Sequence, residues 1–203
     1  MKEFHSFYTK HLQQHGSSAQ GVGWKNEEAQ AIRFEQLYKV FSSQTPFSIN
    51  DLGCGVGDFA NFLISRHTDF SYLGYDLLAE MTQMASEKYA NLTQISFHQI
   101  QKADEMALSD YTIASGIFNI RFETADEAWL ENILATIQIM NKKSNLGFAF
   151  NVLSKYSDLD CRKEELYYAD PLYLFDYCKR NFSKNVALLH DYDQYDFTLI
   201  IRK

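Results

Sequence analysis

Several things are missing from this chain, and each absence closes off a class of protein. Its three cysteines, Cys54, Cys161 and Cys178, form no CxxC pair and fit neither a disulfide framework nor a zinc site. No apolar run approaches membrane-spanning length, and the opening "MKEFHSFYTKHLQQHG" has no apolar h-region. The expectation is a soluble, cytoplasmic protein with no membrane partner. A basic run is missing too: the net charge is −7, and "NKK" at 141–143 and the closing "IRK" are ordinary solvated charges. Phosphate neutralisation supplies most nucleic-acid affinity, so nucleic acid is disfavoured as a partner. There is no internal repeat and no long biased tract, and 22% charged residues do not make a disordered chain.

What is present is apolar and ring-rich. With 46% hydrophobic residues in 203, the chain can bury one domain well. The 15% aromatic content means that any single ring says little about function. Residues 1–47 read as helical with a break at "HGSSAQGVGW" (15–24), where small and polar residues interrupt the pattern. Strand and helix signals then alternate: "FSIND", a helix over 58–66, "FSYLGYD" (70–76), "LLAEMTQMASEKYA", "ISFHQI" (95–100) and "YTIASGIF" (111–118). Thr124 and Glu127 form a capping-box signature opening the next helix, and "LGFAFNVL" (146–153) is a fifth strand. Strands separated by helices predict an α/β fold with a mostly parallel, doubly wound sheet covered on both faces. Asp170-Pro171 opens a further helix. "NVALLHDYDQYDFTLIIRK" then reads as two strands around a turn near Asp193-Gln194, with no room for a helix between them. That ending is an antiparallel C-terminal hairpin.

The chemistry starts at "NDLGCGVGDFANFL" (50–63), where strand end, glycine turn and helix start form a nucleotide-site candidate. Gly53, Gly55 and Gly57 are followed by Asp58, where the dinucleotide fingerprint has its third glycine. A carboxylate there opposes a pyrophosphate, which counts against a NAD-dependent oxidoreductase. No GKS or GKT follows the loop, so the phosphate-gripping P-loop is excluded. Asp76 closes the second strand, where a carboxylate can accept both hydroxyl protons of a ribose.

"INDLGCGVGDFANFL", "YLGYD" and "YTIASGIF" together resemble the first, second and fourth strand motifs of the class I S-adenosylmethionine-dependent methyltransferases. The resemblance spans residues 46–203. It implies a Rossmann-like, seven-stranded sheet with an antiparallel last strand, preceded by a helical N-terminal lid over 1–45. It implies S-adenosylmethionine as cofactor and S-adenosylhomocysteine as product. Gly53, Cys54, Gly55 and Gly57 would lie at the methionine moiety, with Asp51 organising the loop or meeting the ammonium. Asp76 would take the ribose, Leu77 the adenine face, and Ser115 and Gly116 the methyl path. Relatives often carry an acid for the adenine amino group after the third strand; here Gln101 and Lys102 hold that place, with Asp104 the nearest carboxylate. In the lid, Trp24 would close on the methionine end and Arg33 would pair with its carboxylate.

The acceptor side is less defined. "FNIRF" (118–122) places Phe118, Asn119 and Arg121 where an acceptor would enter, and Arg121 suits a carboxylate or phosphate on it. The proline pair of amino-directed nucleic-acid methylases is missing, which disfavours DNA bases. The leading expectation is direct methyl transfer to a small molecule. A non-catalytic, regulatory cofactor-binding module and an RNA or protein methyltransferase stand as alternatives. His5, His98, His190, Tyr8, Tyr156 and Tyr168 are candidate bases, each more often structural, so none is assigned. The loop acids of "SDLD" (157–160) are usually solvated, and no metal is expected.

Overall fold

The structure is a computed structural model that describes residues 2–16, 18, 21, 26–42, 46–67 and 69–203. Two helices come first, α1 (Lys2–His15) and α2 (Glu27–Tyr38). The alternating core follows: β1 (Phe47–Leu52), α3 (Asp58–Ile64), β2 (Phe70–Asp76), α4 (Ala79–Lys88), β3 (Ile95–Gln99), β4 (Ser109–Ala114), α5 (Asp126–Lys142) and β5 (Ser144–Leu153). The chain ends with α6 (Pro171–Asn181), β6 (Asn185–Leu189) and β7 (Asp196–Arg202).

The strands form one seven-stranded sheet in the order β3-β2-β1-β4-β5-β7-β6. Every pairing from β3 to β5 is parallel, and β7 pairs antiparallel with both β5 and β6. The doubly wound sheet and terminal hairpin expected from the sequence are therefore present. Alternation along the strands loads both faces. Phe148, Phe150, Val152, Leu199 and Ile201 join the core beneath α5 and α6, through Ile133, Met140, Leu174 and Cys178. Ala149 and Ile200 point the other way, into a core shared with Phe59 and Leu63 of α3.

Helix starts explain two local outcomes. Asp170 caps α6, its Oδ1 accepting the N–H groups of Leu172 and Tyr173, with Pro171 at the first helical position. Thr124 does not cap α5: Ala125 occupies the cap with no side-chain bond, and the Thr124 N–H goes to the Arg121 carbonyl. The expected capping box is thus replaced by Asp126 and Glu127 in the first turn, which complement the helix dipole. The segment before β1 is also not detached from the core. Phe34, Leu37 and Val40 are buried with Phe59, Ala60 and Leu63, and α2 packs against β5 and β7.

Candidate active site

A cavity of about 1280 Å³ is lined by residues at the C-terminal ends of β1, β2 and β4 and by α1, α2 and α5. It lies where strand order reverses between β1 and β4, the place where open α/β sheets bind ligands. Ligand pockets usually measure roughly 300–1,000 Å³, so this space admits two molecules at once.

The glycine loop forms one wall, and the N–H groups of Gly53, Cys54, Gly55 and Gly57 are already engaged. Gly53 and Cys54 both donate to the Tyr75 carbonyl, at 2.7 and 3.0 Å, and Gly57 donates to the Cys54 carbonyl. The Gly55 N–H goes to Asp76 Oδ2 at 3.0 Å. These four N–H groups are therefore not offered to a pyrophosphate. Two of the glycines answer to the protein itself. Gly53 has φ +77, and a Cβ there would lie 2.2 Å from Ile117 Cγ2; Gly57 has φ +81, and a Cβ would lie 2.7 Å from the Tyr89 ring. Gly57 does not line the cavity, whereas Gly53 and Gly55 do.

Carboxylates dominate this end. Asp51, at 3% exposure, accepts the Tyr72 hydroxyl at 2.5 Å. Burial pushes its carboxyl up to about 7, opposed by the Tyr72 hydrogen bond and reinforced by the charges of Asp76 and Asp58. Burial likewise raises Asp76, against the hydrogen bonds that Leu78, Gly55 and Leu77 donate to it. Asp76, rather than Asp51, thus organises the loop. Asp58 completes the group, held by Gln30 and by Lys88 at 3.2 Å each. The site suits a ligand with a positive charge near β1 and hydroxyls near β2.

The other residues singled out in the sequence fall into three groups. Cys54, Leu77, Gln101, Lys102, Ser115, Gly116, Phe118 and Asn119 line the cavity. Burial pushes the Cys54 thiol well up, which makes it inert. Leu77 stands 41% exposed, an apolar shelf beside Asp76. Asn119 Oδ1 accepts the Leu153 N–H, so its side chain braces the wall. Arg33 also lines the cavity, but its guanidinium grips Asp196 through two bonds of 2.5 and 2.7 Å and donates to the Ala29 carbonyl. Arg121 is outside the lining, paired with Asp126 at 2.9 Å and donating to the carbonyls of Phe122 and Thr124. Trp24 and the His5 side chain lie outside the described residues.

Among the candidate bases, His98, His190, Tyr156 and Tyr168 do not line the cavity. Tyr8 does, but burial and the nearby Asp76 push its hydroxyl up to about 12, so it stays protonated. His11 was not singled out, yet it lines the cavity with Nδ1 donating to the Phe7 carbonyl. Asp196 was missed as well: nothing in the hairpin sequence announces that a strand's first residue reaches α2. Asp158, Asp160 and Cys161 bring one ligand atom each within 4.8 Å of one another, all exposed and none of them lining the cavity.

Residues 49–142 match a family model described as a methyltransferase domain. Rv1506c of Mycobacterium tuberculosis, a protein named as a methyltransferase on a provisional basis, is 44% identical over 165 residues, covering 81% of this chain and 98% of the relative. The N-methyltransferase NodS of Bradyrhizobium japonicum WM9, solved with S-adenosylhomocysteine, superposes with a TM-score of 0.65 at 13% identity, over 98% and 97% of the two chains. Magnesium protoporphyrin IX methyltransferase of Synechocystis PCC 6803, also solved with that product, gives 0.63 at 17% identity, over 89% of each. A cavity lined by Asp51, Asp58 and Asp76 at the β1 and β2 ends fits the sulfonium, ammonium and ribose of that family's methyl donor. The chain belongs to the class I S-adenosylmethionine-dependent methyltransferases and is an enzyme that uses S-adenosylmethionine.

Proposed function

We propose that the enzyme methylates a small-molecule acceptor, held in the apolar lobe walled by Phe7, Ile117, Phe118, Ile120, Leu153 and Leu166. The carrying observation is that this lobe and the carboxylate end form one continuous cavity, so two ligands share it without crossing a barrier. Bound S-adenosylmethionine supplies a methyl on a sulfonium; transfer joins its carbon to the acceptor and leaves the S–C electron pair on sulfur.

The chain's own work is placement. Asp76 offers its remaining lone pairs to the ribose hydroxyls, and Leu77, Ile100 and Ile139 surround the adenine. Asp51 meets the ammonium, which favours its ionised form. Ser115 and Gly116, which line the cavity at the end of β4, would hold the sulfur end of the donor. Alignment of this kind lowers a barrier by about 7–11 kcal/mol in favourable cases. Helix α1, through Phe7, Tyr8 and His11, forms the lid, its Tyr8 and Leu12 packed against Val56, Leu78 and Met81.

Thermal shift tests the cofactor placement, with S-adenosylhomocysteine as ligand and NAD for comparison. At 100 times its dissociation constant the product should add about 2.7 kcal/mol of stability, and Asp76→Ala should abolish the shift. A larger shift with NAD, or an undiminished one in Asp76→Ala, refutes the placement. Methyl transfer from labelled donor is then scored against apolar small molecules, RNA and protein. Transfer confined to RNA or protein refutes the acceptor class.

A further inference from the structure

The sheet has two outer edges, and they are built differently. β3 forms one, and three of its five residues, Ser96, His98 and Gln99, are polar. β6 forms the other with "NVALL", four apolar residues of five, with no charge, no proline and no shift of register against β7. An edge left to solvent is ordinarily protected by a charge, a proline or a bulge, because its unpaired N–H and C=O groups invite another strand. β6 has none of these, and among the described residues no strand pairs with its outer side.

The register shows which groups are unpaired. The Lys203 N–H donates to the Leu146 carbonyl and the Ser154 N–H to the Tyr195 carbonyl, so alternate residues of β7, starting from Phe197, turn their backbone groups to β5. Thr198, Ile200 and Arg202 therefore turn theirs to β6, opposite Leu189, Ala187 and Asn185. The N–H and C=O groups of Val186 and Leu188 are left pointing outward. Val186 and Leu188 lie against the core beneath α5 and α6, and Ala187 and Leu189 against the core shared with α3, all four only partly buried. Lys179 of α6 donates to the Lys184 carbonyl, so its helix stripe runs along the same margin, with Leu172 on it, 58% exposed.

Charge differs between the ends of this edge. Lys179 and Lys184 stand at its start, and Asp191 and Asp193 at its end. An antiparallel strand of the same sequence brings each basic start beside an acidic end, whereas a parallel one sets like charges together. We propose that β6 pairs antiparallel with β6 of a second copy of this chain, about a two-fold axis at Ala187. Val186 of each copy then exchanges backbone hydrogen bonds with Leu188 of the other, and both sheets join into one. Ala187 faces its own copy as a non-hydrogen-bonded pair, the closer kind, with Cα atoms about 4.5 Å apart, which suits the smallest side chain of the strand. The axis is perpendicular to the sheet, so the two α6 helices lie on the same side and their Leu172 stripes extend the contact beyond the strands. No residue of β6 lines the cavity, so the pairing is independent of the methyl-transfer reading.

Sedimentation equilibrium of the full chain over a concentration series should show a mass rising to twice that of the 23.6 kDa chain and no further. Amide hydrogen exchange at Val186 and Leu188 should slow at least tenfold from the dilute to the concentrated end, while exchange on the β3 edge stays the same. Lys184→Glu and Asp191→Lys, both exposed and outside the strand, should each weaken association at least fivefold, and the two together should restore it. Leu188→Pro removes an outward donor, keeps the bonds to β7 and should give a monomer; if it fails to fold, the charge variants decide. A monomer at every concentration, association that continues past the dimer, exchange at Val186 and Leu188 that ignores concentration, or a double charge swap no better than the single ones overturns the proposal.

Discussion

Replacing Asp51 by asparagine should stabilise the ligand-free protein at pH 8 and destabilise it at pH 4. The folded carboxyl lies at about 7, raised from 3.8, mainly by burial. A carboxyl raised on folding binds its proton more tightly in the folded state, so stability falls as pH climbs from 3.8 toward 7 and stays low above that. A shift of about 3 units at ~1.36 kcal/mol each makes the ionised group cost about 4 kcal/mol at pH 8. Asparagine removes that cost and keeps an oxygen for the Tyr72 hydroxyl, but it buries amide donors, at about 1–3 kcal/mol. The net expectation is a gain of about 1–3 kcal/mol at pH 8 and a loss of similar size at pH 4. Urea unfolding of wild type and variant at both pH values measures this directly, and the difference between them should swing by about 3–4 kcal/mol. A swing under about 1 kcal/mol would show that the buried carboxyl is not strained, and would refute the electrostatic reading. In the same variant S-adenosylhomocysteine should bind at least tenfold more weakly, because the ammonium loses its counter-charge.

Three further outcomes follow from packing and pairing. Gly57→Ala combines a left-handed backbone with a Cβ 2.7 Å from Tyr89 and 2.8 Å from Phe97. It should cost about 2–5 kcal/mol in denaturant unfolding. Arg33→Met leaves Asp196 buried at 0% side-chain exposure without its partner, and should cost about 3–5 kcal/mol, most of it recovered by adding Asp196→Leu; a double variant no better than the single one would sink this. Asp170→Ala removes the α6 cap and should lower stability by about 1 kcal/mol, read by thermal unfolding.

Much of this molecule was readable from periodicity and glycine spacing, because those signals are local. The strands "FSYLGYD" and "LGFAFNVL" and the Asp170-Pro171 helix start lie where the pattern put them. The site's polar roles were less readable, because a carboxylate's partner is chosen in three dimensions. Arg33 reaches Asp196, 163 positions away in the chain, and Asp76, rather than Asp51, holds the Gly55 N–H. Thr124 shows a local signal losing to its context: its N–H is claimed by the turn that Arg121 closes.

The position of β7 has a consequence for how the protein is made. It is the last strand in chain order, yet it lies between β5 and β6, with six of its seven residues buried. During vectorial synthesis, β5 therefore emerges with an open hydrogen-bonding edge, and β6 arrives with no neighbour to pair with. Both wait until residues 196–202 clear the ribosome. Until then the nascent chain carries an apolar, unpaired margin of the kind that recruits other strands. Assembly of the sheet is sealed by its final segment, and translation pauses upstream of residue 196 are the moments at which this protein is most open to misassociation.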